Sequence, residues 1–296
     1  MAYTSKEKRA LIASFTANFI FGLSFMFSKK AITIVSVFTF LSYRFTFAFL
    51  LLSVILLFNK AKVNYRGKPI KKLILLGFVQ PVCYFICENY GISMSTTSFA
   101  GIIIAIVPVT TIFAGMIFLK EIPTKKQVLF SVLSIIGVAV TTFGEGNGSF
   151  SFVGMLLLLG AVISASVFNI LSRECSSDFS AFERAYMMTL VGCVLFSLAA
   201  IIQNRNDLYN SMIVPVGNSA IQISILYLSL LSSVCAFMLL NYASTYLPVA
   251  KTSIFANVVT AVTVFAGVFL LNEAFTAFQL IGCIIIVISI YFVNKS

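Results

Sequence analysis

The chain has no histidine and no tryptophan, and charged residues make up only 10% of its 296 residues. The lack of histidine excludes a Ser-His hydrolase and any zinc site with histidine ligands. The two aspartates, Asp178 and Asp207, fall in separate polar stretches, so no aspartyl dyad is available. Residues 144–148 are glycine-rich, but no Lys-Ser or Lys-Thr pair follows them as a phosphate-binding loop requires. We therefore predict that the protein is not an enzyme and that it carries no cofactor and no metal.

The low proportion of charged residues is accompanied by a high proportion of hydrophobic residues. Hydrophobic residues make up 60% of the chain, with a mean hydropathy of +1.05, whereas a soluble domain carries about 25% charged residues. The net charge of +11 comes from basic residues in short loops between apolar runs, a pattern typical of membrane topology signals. We therefore predict an all-α integral membrane protein with the lipid bilayer, and no nucleic acid, as its partner.

The apolar runs predict ten membrane-spanning helices, since about 20 apolar residues cross about 30 Å of hydrocarbon. We place them near residues 10–28, 36–58, 72–92, 96–119, 126–143, 151–172, 181–203, 220–242, 248–271 and 276–293. Most of the 20 Lys and Arg residues then lie on the side of the termini. This bias predicts a multi-pass protein of the cell membrane with both termini in the cytoplasm.

Residues 89–121 and 241–273 align without a gap: both begin with Asn-Tyr, contain Phe-Ala-Gly and end with Leu-x-Glu. Duplicated halves in an apolar chain are typical of transporters. With five spans in each half, the second half must run inverted. We predict two inverted five-helix repeats, residues 1–145 and 146–296. The repeated glutamates, Glu121 and Glu273, are expected to cap the N-termini of the fifth and tenth spans.

Several further stretches form recognisable motifs. They are Phe21-Gly22-Leu23-Ser24-Phe25 before Lys29, Arg44 within Leu41–Phe45, Tyr84–Ala100 with Pro108 and Glu121, Ala165–Arg173, and Asn241–Glu273. Together with the ten spans they resemble EamA-type ten-helix carriers of the drug/metabolite transporter superfamily. Three positions depart from that pattern: Phe21 stands in place of Trp, Thr260 in place of Pro, and Glu88 where an apolar or aromatic residue is common.

The resemblance implies a secondary transporter, acting as an exporter, for a small polar metabolite such as an amino acid or a related compound. It implies alternating access between the two inverted repeats. Two alternatives stay open. A carrier of nucleotide-sugars or lipid precursors would need several cations in its cavity, and Arg44 alone is available; a structural or receptor-like membrane protein would move no substrate. The oligomeric state stays open between monomer and homodimer.

Arg44 and Glu88 are the ionisable residues that lie well inside predicted spans rather than near their ends, and a charge costs about 2.5–3.5 kcal/mol at the helix centre. Both fall in the half of the membrane away from the termini and are placed to pair. The functional hypothesis is a coupling or gating site with Glu88 as proton acceptor. The alternative is structural, with a snorkelling glutamate and an arginine bound by helix-end carbonyls.

Polar residues near the middle of four spans are the predicted substrate ligands, because amides and hydroxyls can both donate and accept. They are Asn18, Gln80, Ser164, Ser166 and Asn257, with Phe21, Phe25 and Tyr84 as aromatic walls. The alternative for each polar residue is an interhelical hydrogen bond, worth about 0.6 kcal/mol. Pro81 and Pro108 are expected to interrupt backbone hydrogen bonding at mid-depth.

Overall fold

A computed structural model describes residues 4–58, 62–94, 103–142, 151–262 and 276–295. Within these ranges the regular elements are helical, as the composition predicted. The main helices are α1 (Ser5–Ile32), α2 (Val37–Leu57), α3 (Ile70–Gly91), α4 (Val107–Leu119), α5 (Lys125–Thr142), α6 (Phe152–Cys175), α7 (Ala181–Gln203), α8 (Ser219–Tyr246), α9 (Val249–Val262) and α10 (Ala277–Lys295). Two short helical turns, Tyr209–Ile213 and Val214–Gly217, precede α8.

In the described part of the chain, seven helices are long and apolar enough to cross a membrane, namely α1, α2, α3, α6, α7, α8 and α10. The helices α4 and α9 are shorter but apolar. Parts of the predicted fourth and ninth spans, residues 96–102 and 263–271, lie outside the described residues. The helical pattern is that of a multi-pass membrane protein.

Side-chain caps fix several helix starts. Thr4 and Glu7 form a capping box, so α1 begins five residues before the predicted apolar span. Two further reciprocal caps occur 152 residues apart. The Thr124 N–H donates to Gln127 Oε1 at 2.9 Å, and the Thr276 N–H donates to Gln279 Oε1 at 3.0 Å. The duplicated sequence thus starts α5 and α10 in the same way.

The duplication extends to hydrogen bonds inside the helices. Asn89 Nδ2 donates to the Phe85 carbonyl at 2.8 Å, and Asn241 Nδ2 donates to the Phe237 carbonyl at 2.9 Å. Both pairs are again 152 residues apart. The structural similarity of the two halves therefore begins at Phe85 and Phe237, four residues before the aligned sequences 89–121 and 241–273.

The helix α3 is interrupted at Gln80, whose φ of −140° and ψ of 117° are extended rather than helical. Pro81 follows and contributes no backbone N–H. On α7, a Cβ at Gly192 would lie 2.8 Å from the Phe45 ring and 3.0 Å from Pro81. A glycine there lets the interrupted helix approach α7 closely. Pro108, by contrast, lies in the first turn of α4, where proline is tolerated.

The helices pack in pairs, with α2 against α7, α5 against α10, α3 against α6 and α1 against α8. The largest buried cluster lies among α2, α3, α7 and α8 and is rich in aromatic rings, including Phe40, Phe45, Phe85, Phe196 and Phe237. Large apolar side chains elsewhere are exposed on the outer faces of the helices, as expected for surfaces that face lipid.

Polar contacts join helix ends in two groups. On one side, Lys72 at the start of α3 pairs with Glu174 at the end of α6, at 3.4 Å. The Lys6 ammonium at the start of α1 lies over the Tyr246 ring at the end of α8. On the other side, Ser36 before α2 donates to Gln203 Oε1 at the end of α7, at 2.9 Å. The helices α1 to α3 and α6 to α8 therefore alternate in direction.

Candidate functional site

Three polar side chains lie at four-residue intervals along α3, and the first of them, Gln80, is at the interruption of the helix. Gln80 is buried, and its Oε1 atom is buried without a hydrogen-bond partner. One turn further, the Tyr84 hydroxyl donates to Glu88 Oε1 at 2.7 Å. Glu88 is itself buried, 7% exposed. Side chains four residues apart lie on one helix face, so Tyr84 and Glu88 extend one face whose hydrogen-bonding capacity is dominated by acceptors. We call Gln80, Tyr84 and Glu88 the acceptor row.

Arg44 lies beside the acceptor row on α2 and is 2% exposed. Its Nε donates to Ser233 Oγ and its Nη2 to Ser232 Oγ, each at 2.8 Å. The guanidinium carbon stands 4.5 Å from the centre of the Phe85 ring. A cation over an aromatic face is stabilised by the ring quadrupole. Arg44 is thus held by side chains of α8 and α3 rather than by helix-end carbonyls.

The predicted pairing of Arg44 with Glu88 does not form. Among the described residues, no Lys or Arg nitrogen lies within 4.0 Å of the Glu88 carboxylate, although Arg44 lies close enough to interact with it electrostatically. The serines of α8 engage the guanidinium, and Tyr84 engages the carboxylate. The serines come from another helix and could not be read from the spacing of Arg44 and Glu88 along the chain, whereas Tyr84 lies one turn before Glu88 on α3.

Ser166 of α6 forms a hydroxyl cluster with α4. Its Oγ lies 2.6 Å from Thr110 Oγ1 and 3.3 Å from Thr111 Oγ1. It also donates to the Val162 carbonyl of its own helix at 2.9 Å. Ser164 lies on α6 as well and is half-buried. The contacts of Ser166 with Thr110 and Thr111 are therefore interhelical hydrogen bonds.

The remaining predicted ligands are dispersed. Asn18 Nδ2 donates to the Ser14 carbonyl of its own helix at 2.8 Å. Asn257 Nδ2 of α9 donates to Ser134 Oγ of α5 at 2.8 Å. Phe21 is half-buried with its ring centre 5.8 Å from that of Phe237. The side chain of Phe25 lies outside the described residues.

Within the described ranges, no hydrogen bond joins the predicted polar ligands to one another; these are Asn18, Gln80, Ser164, Ser166 and Asn257. Gln80 differs from the others because its side-chain acceptor, Oε1, is buried and unpaired. It is the member of this predicted set that offers a buried hydrogen-bonding atom to a ligand.

Sequence reasoning did not single out Arg184, which lies at the edge of the predicted span 181–203. It lies in the first turns of α7 and is completely buried. Its Nη1 donates to the Ser172 carbonyl and its Nη2 to the Asn241 carbonyl, each at 2.6 Å. The signal that could have placed it inside α7 is the Ser180–Glu183 capping box, which starts the helix just before Arg184.

Glu121 caps a helix, as predicted, but the helix is α9 and not the predicted α5. Thr124 and Gln127 cap α5 instead, as described above. Glu121 Oε2 accepts from the Val249 N–H at the start of α9, at 2.8 Å. Its Oε1 accepts from Arg173 Nε at 3.3 Å. Glu273 lies outside the described residues.

A surface cavity of about 510 Å³ lies near the end of α8, lined by residues that include Lys68, Asp178, Tyr242 and Tyr246. No residue of the acceptor row lines it. In the described ranges no group of three or more His, Cys, Asp or Glu side chains is arranged to hold a metal ion.

Apolar helices that alternate in direction, with buried polar residues inside the bundle, define a multi-pass membrane protein. The model of the EamA-like transporter family matches the chain twice, over residues 8–143 and 152–295. The chain therefore belongs to the EamA-like transporter family and is a membrane transporter.

Similar proteins extend over most of the chain. The uncharacterized transporter YcxC of Bacillus subtilis (strain 168) is 33% identical over 288 residues, which are 96% of this chain and 92% of that protein. The S-adenosylmethionine/S-adenosylhomocysteine transporter of Chlamydia muridarum (strain MoPn / Nigg) is 25% identical and covers 94% and 91%. A probable terminal-alkyne amino-acid exporter of Streptantibioticus cattleyicolor (strain ATCC 35852 / DSM 46488 / JCM 4925 / NBRC 14057 / NRRL 8057) is 24% identical and covers 78% and 75%.

A crystal structure shares the fold with a TM-score of 0.78 at 16% sequence identity, covering 97% of this chain and 96% of that one. Similarity at this level of identity concerns the fold alone.

Proposed function

We propose that the protein is a secondary transporter that exports small polar metabolites bearing an amino group, such as amino acids and their relatives. The observation that carries this proposal is the acceptor row of α3. Gln80 presents a buried acceptor without a partner, and the buried Glu88 carboxylate has Tyr84 as its hydrogen-bond donor. A buried unpaired acceptor costs about 1–3 kcal/mol, and an ammonium or amino group of the cargo would supply the missing donors.

Arg44 gives the same site a cation for the opposite end of a zwitterion. The guanidinium uses Nε and Nη2 on the serines of α8 and stacks on Phe85, the neighbour of Tyr84. Arginine carries further donors in its planar fork. A cargo with an amino group near Glu88 and a carboxylate near Arg44 would satisfy both charges.

The names of two relatives support this class of cargo. One is called an amino-acid exporter and the other a transporter of S-adenosylmethionine and S-adenosylhomocysteine. All of these compounds carry an amino group and a carboxylate on one carbon. The word exporter in the first name supports outward transport here.

For the architecture, we propose ten membrane spans, α1 to α10, in two inverted repeats comprising residues 1–145 and 146–296. The repeated caps of α5 and α10, the repeated Asn89 and Asn241 contacts and the two family matches support the duplication. Pairing of α3 with α6 and of α8 with α1 fits a two-fold relation between the halves. Alternating access would then exchange the roles of the two halves.

We further propose that the protein resides in the cell membrane with both termini in the cytoplasm, on the side rich in Lys and Arg. One chain holds the complete acceptor row together with Arg44, so a monomer suffices for the site; a homodimer would leave the site unchanged.

The proposal is tested by flux into liposomes that contain the purified protein. Isotopically labelled common amino acids and S-adenosylmethionine are supplied with and without a pH gradient. We expect saturable uptake of at least one of them. If Glu88 accepts the coupling proton, the substitution Glu88→Gln will remove the dependence of uptake on the pH gradient, because an amide does not titrate.

Glu174→Gln is the matched control, since Glu174 is a carboxylate at a helix end that pairs with Lys72. It should leave the pH dependence intact. A Glu88→Gln protein that keeps the pH response of the parent would rule out the coupling role. The absence of flux for every labelled compound would contradict the proposed cargo class.

A further inference from the structure

A second polar cluster lies at the end of α4, away from the acceptor row. Lys120 ends α4 with a left-handed φ of 55°, and the Glu121 N–H then donates to the Gly115 carbonyl at 3.2 Å. A left-handed residue at a helix end turns the chain away from the helix axis. The turn brings the Glu121 carboxylate to α6 and α9.

The cluster ties four helix ends together. Glu121 accepts from Arg173 Nε of α6 at 3.3 Å and from the Val249 N–H of α9 at 2.8 Å. Arg173 Nη1 also donates to the carbonyls of Ser244 and Thr245 at the end of α8, at 3.1 and 2.7 Å. The anion meets a helix N-terminus and the cation meets a helix C-terminus, so both complement the helix dipoles.

A polar seam leads from this cluster toward the middle of the bundle. It consists of Thr110 and Thr111 on α4 and Ser166 and Asn169 on α6. The hydroxyls of Ser166 and Thr110 lie 2.6 Å apart, and Asn169 Nδ2 donates to Thr111 Oγ1 at 3.4 Å. Hydrogen bonds of this kind between membrane helices are individually weak, so the seam can separate and hydrate at modest cost.

Two features allow the cluster to open, and a third shows how closely α4 approaches α9 in the closed arrangement. The side chains of Arg173 and Glu121 are 29% and 25% exposed, so water can solvate both charges once they part. The helix α9 changes to a tighter helix at Ile254–Asn257, a change that often marks a hinge. A Cβ at Gly115 would lie 2.6 Å from Val249 Cγ2, so α4 meets the first turn of α9 with only a hydrogen between them.

We propose that Glu121, Arg173 and the first turn of α9 form a gate on the side of the termini, and that its opening exposes the seam between α4 and α6 as the route by which cargo enters. This inference rests on the proposed transport function, because a gate has a role only in a chain that moves cargo. Glu121 and Arg173 act as positioning residues and do not touch the cargo site.

The first test needs no cargo. Asn169→Cys places a reporter thiol in the seam, one turn above Arg173, and a membrane-impermeant maleimide is added to the side of the termini. Labelling of residue 169 is followed by peptide mass spectrometry, which separates it from the six native cysteines. Adding Glu121→Gln should speed the labelling about tenfold, the effect of ~1.4 kcal/mol on the opening equilibrium.

Glu174→Gln in the same reporter background is the control, because it weakens a neighbouring ion pair on the same side, Lys72–Glu174, that is not part of the gate. Its labelling rate should match that of the reporter alone. Equal rates in the Glu121→Gln and Glu174→Gln proteins would overturn the gate. Both proteins must show the melting temperature of the parent protein. This control distinguishes opening of the gate from a general loss of stability.

The second test locks the gate. Glu121→Cys with Arg173→Cys, oxidised to a disulfide, should stop flux of the labelled amino acids, and a reductant should restore it. The matched pair, Lys72→Cys with Glu174→Cys, should transport in both states. A contact that serves structure alone need not open, so unimpaired flux through the oxidised 121–173 protein would refute the gate. If even the unmodified protein moves no labelled compound, the proposed cargo has failed, while the labelling rates still decide the gate.

Discussion

At the scale of single residues, Arg184 is a completely buried charge. A charge in a low-dielectric environment is tolerated only when its donors are paired. Arg184 donates to the Ser172 and Asn241 carbonyls and to the hydroxyls of Ser244 and Thr245. It thereby fastens the start of α7 to the ends of α6 and α8.

We predict that Arg184→Lys lowers the free energy of unfolding by about 2–3 kcal/mol, because one ammonium cannot span the acceptors that the planar guanidinium reaches. Thermal unfolding in detergent measures the change. Arg66→Lys, at an exposed loop position, should leave the melting temperature unchanged. Equal stability of the Arg184→Lys protein would show that its hydrogen bonds contribute little.

Replacement of Gln80 by an apolar residue should have opposite effects on stability and on transport. Replacing a buried, unpaired acceptor with an apolar side chain removes a desolvation cost. We therefore expect Gln80→Leu to raise the free energy of unfolding by about 1 kcal/mol while it strongly reduces uptake. Thermal unfolding and liposome flux measure the two effects.

Gln222→Leu, at an exposed position before the centre of α8, is the control and should leave flux unchanged. A Gln80→Leu protein with normal uptake would remove Gln80 from the cargo site. The pair of measurements thus distinguishes a ligand from an interhelical contact.

At the scale of helices, glycine controls how closely α5 and α10 approach. A Cβ at Gly282 would lie 2.5 Å from the Gly137 carbonyl oxygen and 2.7 Å from the Thr141 nitrogen. Both neighbours are backbone atoms, so the helices themselves would have to separate. Small residues commonly permit such contacts between membrane helices.

We predict that Gly282→Ala lowers the free energy of unfolding by about 1–3 kcal/mol, the usual cost of overpacking. Gly217→Ala serves as the control, because a Cβ there would meet nothing within 4 Å. Thermal unfolding of the two variants compares them directly. Equal melting temperatures would mean that α10 can shift without loss of packing.

Helix ends were partly predictable, for a local reason. The Thr124–Gln127 and Thr276–Gln279 caps join residues that are three apart in the chain. Caps of this kind can therefore be predicted from the sequence alone. The partners of Glu121 are remote in sequence, since Val249 lies 128 residues away. A carboxylate at a helix end indicates that it will cap some helix. Only the packing of α4 against α9 decides that the capped helix is α9.

At the scale of the whole molecule, the contacts at helix ends order the bundle. Contacts of Lys72 with Glu174 and of Lys6 with Tyr246 bring starts of odd-numbered helices to ends of even-numbered ones. The three ion pairs found among the described residues lie on that same side. The start of α1 therefore lies on the side on which the gate is proposed, and Lys251 at the start of α9 donates to the Asn294 carbonyl near the end of α10, at 3.3 Å.

We predict that this side is the cytoplasm. Green fluorescent protein fused after Lys295 should fluoresce, and alkaline phosphatase fused there should be inactive, because each reporter matures on one side only. Fusions after Asn206, between α7 and α8, should give the opposite pattern. Matching patterns at the two positions would contradict the alternating arrangement.

The sequence by itself determined that the protein is helical, lies in a membrane and is internally duplicated, because these properties follow from composition, run length and self-similarity. It also selected Gln80 and Glu88 as functional candidates, since a polar residue within an apolar run is costly wherever it lies, and Tyr84 as an aromatic wall. The four-residue spacing of Tyr84 and Glu88 places these two side chains on one face of α3.

Only the tertiary structure decided which partners these side chains meet. It paired Arg44 with the serines of α8 instead of Glu88, buried Arg184, and gave Glu121 to α9. It also showed Ser166 and Asn257 in contacts between helices. The physical reason is that hydrogen bonds act over about 3 Å, and residues far apart in sequence come that close only after the helices have packed.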